Sequence, residues 1–368
     1  MSARLKIEVI GLAACLGAMC CGCAANSPAS EPDTEGFVEF TADPQSSYTP
    51  EGVTTTLNIQ DFKVTAIYKG EWNNTFVLLD NVIVERTSLN TWEYNPPIRW
   101  PQFPVNFYMV SPASENWEPQ KWGDGGARIY SYTNDGKVDL LAAQDLQAIG
   151  QYGAVHVNFR HALAHVAAAM RVNVPADYKL IVKAIYFSCL PREGHYEWPS
   201  EDTDDDTFEI GTPEASGYWR EVHKVSPNNY QFLISGSLDK DYEGVEMPAT
   251  DDFKTMHSLV QFSIPWKIDP PEDLNWGAWK GEAVIVAYRI LRRSDNAVVY
   301  PNAGTPLKYQ FTGDRTWAMK PFFFYGVTPG NTTKPGLSYL YRFTLTYPSA
   351  DTRADSPASD ITCTVSPY

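Results

Sequence analysis

The sequence predicts an all-β protein, and three observations carry that prediction. Segments in which apolar and polar residues alternate recur along the chain, the period-2 signature of a half-buried strand. Runs of turn-forming residues separate them, among them "NPPIRWPQFP", "GDGG", "TNDG", "DPPEDLNWG" and "YPNAGTP". Finally, 27 Pro and 24 Gly spread through 368 residues, with aromatics at 13%, suit many short strands joined by turns better than long helices.

The first residues have another purpose. "MSARLKIEVIGLAACLGAMCCGC" carries Arg4 and Lys6 and then runs almost uncharged from Val9 to Met19. That is the layout of a secretory signal, too short for a membrane-spanning helix of ~20 apolar residues. Three of the six cysteines, Cys20, Cys21 and Cys23, crowd its end. A zinc site needs further Cys or His ligands at coordinating spacing, and none follows Cys23 before His156, so no metal is expected here. A signal ending in a small residue directly before cysteine resembles that of a bacterial lipoprotein, and Cys23, after Gly22, is read as the lipidated residue. Cys15, in "LAAC", fits the local consensus better but leaves a short apolar segment, and Cys21 is a further candidate. Residues 1–22 are then signal peptide. "AANSPASEPDTEG" cannot bury a core and makes 23–36 a tether, which favours the anchored reading over an ordinary cleaved signal and a secreted protein.

The remaining chain is long enough for two domains, since single cores stop growing near ~250 to 300 residues. A boundary at Gly150 to Gly153 divides it into sandwich-sized halves, 37–150 and 151–350, followed by a tail, 351–368. The net charge is −15, and losing Arg4, Lys6 and Glu8 with the signal takes it to −16. Such a field repels nucleic acid, which is set aside as a partner. With Cys23 lipidated, Cys189 and Cys363 stay in the body; a bridge between them and two separate thiols are both open, because their spacing decides nothing.

In chain order, "GFVEFTA" is the expected first strand. "FKVTAIYK" puts Phe62, Val64, Ala66 and Tyr68 on one face and Lys63, Thr65 and Lys69 on the other. "VNFYMV" follows as a strand, and "LLAAQDLQAIG" (140–150) reads as a short helix or helical turn ending at Gly150. "AVHVNF" is a strand. "FRHALAHVAAAMRVNVP" mixes Ala-rich helical composition with β-branched flanks and is read as a long strand, and "KLIVKAIYF", "EAVIVAYRIL" and "YLYRFTLTY" complete the set. No fixed-period repeat is present.

Tests for chemistry come out plain. "EDTDDDTFE" (201–209) alternates Asp202, Asp204 and Asp206 as calcium ligands do. It lacks the glycine and terminal glutamate of an EF-hand, with Pro213 at the last position, and reads as a solvated loop. His161 and His165 are four apart, but no third metal ligand can be placed, so structural roles on a strand are expected. No nucleophile motif and no Gly-rich phosphate loop occurs, so neither an enzyme nor a cofactor is expected. Trp266, Trp276 and Trp279, in "WKIDPPEDLNWGAWKG", are candidates for ligand contact if they stack on sugars from an exposed loop, and core residues if they are buried.

Several phrases together resemble one family. "FKVTAIYKG", "TWEYNPPIRWP" leading into "VNFYMVSP", "DLLAAQDL", "VNFRHALAHVAAAMRV", "KLIVKAIYF" and "GLSYLYRFTLTY" occur in the order found in fimbrillin-like proteins, the type V pilus subunits and their anchors. Trp92, Tyr94, Trp100, Pro101, Phe107, Tyr108, Ser111, Pro112, Asp139, Phe159, His161, Ala162 and Leu163 fill the family positions. The resemblance spans about residues 60 to 350. It implies two tandem transthyretin-like β-sandwich domains and a structural or adhesive role as a lipoprotein on the outer membrane surface. The partners it implies are other pilus subunits, joined by β-strand complementation, and a host or bacterial surface ligand. In polymerising members a trypsin-like protease cuts after an arginine and removes the first strand, and a neighbour's strand fills the groove.

Two features set this chain apart within that pattern. No arginine lies between Cys23 and Arg86, well past "GFVEFTA", which fits an anchor, an accessory subunit or a stand-alone adhesin that keeps its first strand. In the tail, "ITCTV" aligns Ile361, Cys363 and Val365 on one face, as a donated strand requires and as a strand closing its own sheet also does.

Overall fold

The computed structural model describes residues 36–42, 59–88, 91–114, 117–123, 126–149, 153–198, 217–224, 231–232, 242–255, 261–274, 278–301, 310–311, 314–347 and 361–367. Among them no α-helix forms. Two single 3-10 turns, Glu71–Asn73 and Pro329–Asn331, interrupt a succession of strands. The fold is all-β, as the alternation predicts.

The first part of the chain contributes β1 (Phe40–Ala42), β2 (Asp61–Lys69), β3 (Thr75–Ser88), β4 (Val105–Ser111), β5 (Gly126–Thr133), β6 (Leu141–Ala148) and β7 (Val155–Val157). A six-stranded sheet runs Arg160–His161, β6, β4, β2, β3, Thr91–Glu93, with antiparallel neighbours throughout. Its inner face packs Phe62, Val64, Phe107, Leu141 and Phe159 into one core. Its other face is covered as well, since Ile67, Tyr108, Val110 and Ala142 pack against Trp117, Ile129, Tyr196 and Trp198. The half-buried reading of "FKVTAIYK" is therefore corrected for Lys63 and Thr65. Lys63 is 5% exposed and pairs with Glu118 at 2.8 Å, while the Thr65 hydroxyl donates to the Pro119 carbonyl at 2.6 Å. A polar side chain is tolerated in such a double-sided layer because each is given a partner.

The helical reading of "LLAAQDLQAIG" is also corrected. The segment is β6, paired with β4 from Leu141 opposite Ser111 to Ala148 opposite Val105. Leu141 and Ala143 enter one core, Leu140 and Ala142 the other. Helix propensity of Ala, Leu and Gln amounts to tenths of a kcal/mol per residue, whereas a central strand seated between two cores gains burial on both faces.

The later part contributes β8 (Ala164–Asn173), β9 (Tyr178–Ser188), β10 (Pro191–Trp198), β11 (Tyr218–Lys224), β12 (Ala283–Arg292), β13 (Asp314–Phe323), β14 (Leu337–Thr346) and β15 (Ile361–Pro367). The Ala-rich segment read as a strand is β8. It lies parallel to β14 over its whole length, from His165 opposite Ser338 to Asn173 opposite Thr346. Its sheet runs Lys254–Thr255, β8, β14, β15. The facing sheet is built on β9, β12 and β13. Val166, Met170, Val182, Val286, Phe322, Tyr341 and Phe343 fill the space between the two. A further antiparallel sheet, β11, β10, β5 and Pro119–Trp122, draws strands from both sides of residue 150 and forms the layer over the outer face of β2 and β4.

Candidate functional site

Strand exchange requires a short strand held in a groove and a sheet edge to receive it, and this chain presents both. At the N-terminal end, residues 36–42 thread between two segments. The Val38 amide donates to the Ile98 carbonyl at 2.9 Å, the Trp100 amide to the Gly36 carbonyl at 3.2 Å, and the Val155 amide to the Glu39 carbonyl at 2.7 Å. β1 then runs parallel to β7, with Phe40 opposite Val155. Alternation turns Val38 and Phe40 inward. The Phe40 ring meets Phe62 at 5.5 Å, Tyr94 at 5.7 Å and Phe107 at 6.0 Å, each nearly perpendicular. Burying such a ring stabilises its seat by about 1.5–3 kcal/mol.

Three residues of "TWEYNPPIRWP" build that groove. Trp92 packs on Phe62 at 5.2 Å. The Tyr94 hydroxyl donates to the Val38 carbonyl at 3.0 Å and accepts the Ile98 amide at 3.2 Å, so it joins the strand to the groove wall. Burial raises the Tyr94 pKa, with the Ile98 hydrogen bond opposing. Trp100 holds Gly36 through its backbone and packs on Phe107 at 5.5 Å.

At the other end of the chain, β15 pairs antiparallel with β14: Ile361 opposite Phe343, Cys363 opposite Tyr341, Val365 opposite Tyr339. Ile361 is buried, and Cys363 and Val365 pack against the same core, while Thr362, Thr364 and Ser366 face outward. Here the strand closes its own sheet, and among the described residues no strand pairs with its outer edge. Beneath it the Tyr341 hydroxyl shares a 2.7 Å hydrogen bond with Thr328, and its ring stacks on Phe324 at 3.8 Å. Burial pushes the Cys363 thiol up to about 11, with Tyr341 and Arg342 opposing, and raises Tyr339 to about 12. Cys363 and Cys189 are both free thiols.

The remaining sequence candidates fall in different places. Cys23, the acidic run 201–209 and Trp276 lie outside the described residues. Trp279 stands in the strand Ala278–Lys280. Trp266 is 1% exposed and belongs to the core between the two later sheets, so its ring is closed to a ligand. Its hydrogen bonds explain the placement: the Trp266 amide donates to Thr333 Oγ1 at 2.9 Å and the Thr333 amide to the Trp266 carbonyl at 2.9 Å. His161 and His165 do not converge. His161 Nδ1 lies 2.7 Å from Asp139 Oδ2, and His165 Nδ1 lies 2.7 Å from Ser338 Oγ. Burial drives the His165 pKa down to about 4, which keeps that ring neutral. Among the described residues no cluster of His, Cys, Asp or Glu is arranged to hold a metal, and no helix is long and apolar enough to cross a membrane. Sequence reasoning missed the Tyr94 clasp, although "W-E-Y" marked the place: strand periodicity says which face a tyrosine takes, not which distant carbonyl its hydroxyl reaches.

No family model and no curated protein matches the chain. Solved structures similar to it include a fimbrilin from Porphyromonas gingivalis, with 12% identity, 91% of this chain and 98% of that one covered, and a TM-score of 0.49. A Bacteroides uniformis protein provisionally described as a cell adhesion protein is similar at 11% identity, 90% and 98% coverage and a TM-score of 0.43. The C-terminally truncated tip fimbrial protein Mfa3 of Porphyromonas gingivalis is similar at 8% identity, 84% and 94% coverage and a TM-score of 0.31.

Proposed function

We propose that this chain is a structural or adhesive protein of the cell surface: a fimbrillin-like pilus component, held in the outer membrane by a lipid on Cys23, and an anchor or accessory subunit instead of bulk shaft. The observation that carries the reading is the filled groove. Val38 and Phe40 occupy it, Tyr94 clasps it, and the chain offers no arginine between Cys23 and Arg86 at which a trypsin-like cut would free the strand. Arg86 itself is a poor substitute. It sits within β3, its amide bound to the Gln60 carbonyl at 2.8 Å and its guanidinium reaching the Ile59 carbonyl at 3.3 Å, so cutting there would sever the central sheet.

In this reading the protein keeps its own first strand and receives no donor at that end. Its contribution to assembly lies with β15, whose removal from β14 would expose the alternating pockets over Tyr339, Tyr341 and Phe343 to a strand from a neighbouring subunit. Backbone ladders would supply the affinity and the inward side chains the register. The division into domains at 37–150 and 151–350 belongs to the same proposal, and the role needs no catalytic group.

Blotting unboiled outer-membrane fractions of the native host tests it. The expected result is a full-length lipidated species that enters a larger complex at most once. A regular ladder of SDS-resistant multimers would make the protein a shaft subunit and overturn the anchor reading.

A further inference from the structure

The hairpin joining β2 to β3 exposes three apolar side chains. Trp72, in its turn, is 90% exposed, with its backbone in the left-handed region (φ 64°, ψ 22°) and Asn73 next to it at φ 60°. Bulky L-residues avoid that region, so the indole costs backbone energy here and gains no burial in return. Phe76 and Val77, the second and third residues of β3, are each 45% exposed. Phe76 stands opposite Tyr68 and stacks on it at 5.3 Å, and Val77 stands opposite Ile67, on the other face of the sheet. Strain and apolar exposure gathered on one hairpin point to a use outside the fold.

Strand register shows what else lies at this end. β4 begins at Val105, opposite both Tyr68 and Ala148, so the hairpin is at the Val105 end of the six-stranded sheet. From Val155 to His161 the chain runs away from that end. The His156 amide donates to Asp145 Oδ2 at 3.1 Å, and His161 stands opposite Leu141, at the Ser111 end. β1 is parallel to β7, so its leading residue, Gly36, lies toward the Val105 end. There the Trp100 amide holds the Gly36 carbonyl, and Phe103, three residues on, stacks on Tyr68 at 6.1 Å. The chain that leads back to Cys23 therefore joins the body at the end that carries Trp72.

We propose that this hairpin is a lipid-contact tip, whose Trp72, Phe76 and Val77 enter the interface of the lipid surface to which Cys23 is attached. The occupant rests on the lipid reading of Cys23 given above. Residues 23–36 taken as a coil span about 20 Å, so a lipid on Cys23 holds the Val105 end, and not the Ser111 end, beside the surface. Tryptophan with flanking cations is the pattern that seats proteins at a bilayer boundary. Here Lys69 stands opposite Thr75, Lys121 Nζ lies 3.5 Å from the Thr75 carbonyl, and Arg99 lies at the bridge that pairs it with Phe37, all three side chains exposed. Zwitterionic head groups offer phosphate to these cations and an apolar layer to the rings. A second copy of the chain would instead bring its own net charge of −15 to the contact. A lipid on a coil leaves the body free to turn, and a second contact at the tip fixes its orientation.

The test places the full chain, purified from the native host, on vesicles of phosphatidylcholine and phosphatidylethanolamine with brominated acyl chains, which quench indoles that enter the interface. Flotation reports the lipid anchor, and quenching reports the tip. The parent is expected to float and to be quenched, and Trp72→Gly to float equally but lose that quenching. Its melting temperature should hold or rise, because glycine accepts the left-handed turn, so the loss cannot be blamed on unfolding. Equal quenching of the two, or none in a floating parent, overturns the tip contact and leaves the lipid on Cys23 standing. A parent that floats no better than Cys23→Ala overturns the lipid on Cys23, and with it the occupant argued from it. Dimers that form without quenching and vanish in Trp72→Gly would overturn the lipid contact in favour of a second copy.

Discussion

The Tyr94 hydroxyl stands 3.0 Å from the Val38 carbonyl and 3.2 Å from the Ile98 amide, so one side chain ties the first strand to the groove wall that receives it. The two residues are far apart in sequence, and the half-buried hydroxyl adds to the backbone bonds that Val38 and Gly36 make with the same wall.

Tyr94→Phe keeps the ring and its contact with Phe40 and removes only that link. A loss of about 0.5–1.5 kcal/mol is expected in urea unfolding, with faster proteolysis of residues 36–42. Phe40→Ala, which empties the pocket, should cost about 3–5 kcal/mol. Indistinguishable unfolding curves for parent and Tyr94→Phe would show that the clasp contributes nothing.

Removing 361–367 strips the cover from Tyr339, Tyr341 and Phe343. The shortened protein should bind a hydrophobic dye more strongly and take up a synthetic "ITCTVSP" peptide, whose Ile361, Cys363 and Val365 equivalents refill the pockets. Failure of the peptide to bind a still-folded shortened chain would argue that β15 holds only by being tethered.

Lipidation at Cys23 predicts that Cys23→Ala moves the protein out of the detergent phase in a partitioning experiment. If Cys23→Ala still partitions with detergent, Cys15 and Cys21 are the next substitutions to make.

Stability should fall at both ends of the pH range, for opposite reasons. The Cys363 thiol is raised by burial to about 11 from its ordinary value of 9.0, so the unfolded chain loses that proton first, and stability declines as pH rises from about 9 to about 11. His165 is lowered to about 4 from 6.5, so the unfolded chain gains a proton first, and stability declines as pH falls from about 6.5 to about 4. Denaturation midpoints measured across both windows check this, with Cys363→Ala flattening the alkaline limb and His165→Gln the acid one. Unchanged slopes in those variants would place the pH dependence elsewhere.

Strand existence was legible wherever alternation was clean. Phe62, Val64 and Ala66 share one core as their spacing requires, and Ile361, Cys363 and Val365 share another. The same periodicity misjudged Lys63 and Thr65, because a polar residue in an alternating run is counted as solvent-facing. The layer that buries them comes from Pro119–Trp122 and its sheet, more than fifty residues further on in the chain. Residues 140–150 failed for a related reason. Local propensity favoured a helix by a margin too small to survive two-sided packing in the sheet. Trp266 shows the limit for a site: a tryptophan in a Pro-rich stretch has the same local sequence whether it is buried or displayed.

What the sequence determined by itself is what short-range chemistry controls: the basic and apolar patterning of the first residues with their cysteines, the period-2 strands, the turns between them, and the absence of an arginine between Cys23 and Arg86. These depend on neighbours within a few residues. What only the tertiary structure decided is which faces find a second layer, which hydroxyl meets which carbonyl, and which aromatics remain in water. Val38 is buried because Tyr94 and Phe107 stand over its groove, and Trp72 is exposed because among the described residues none covers its ring. Such outcomes depend on pairings between distant segments, and local periodicity carries no record of them.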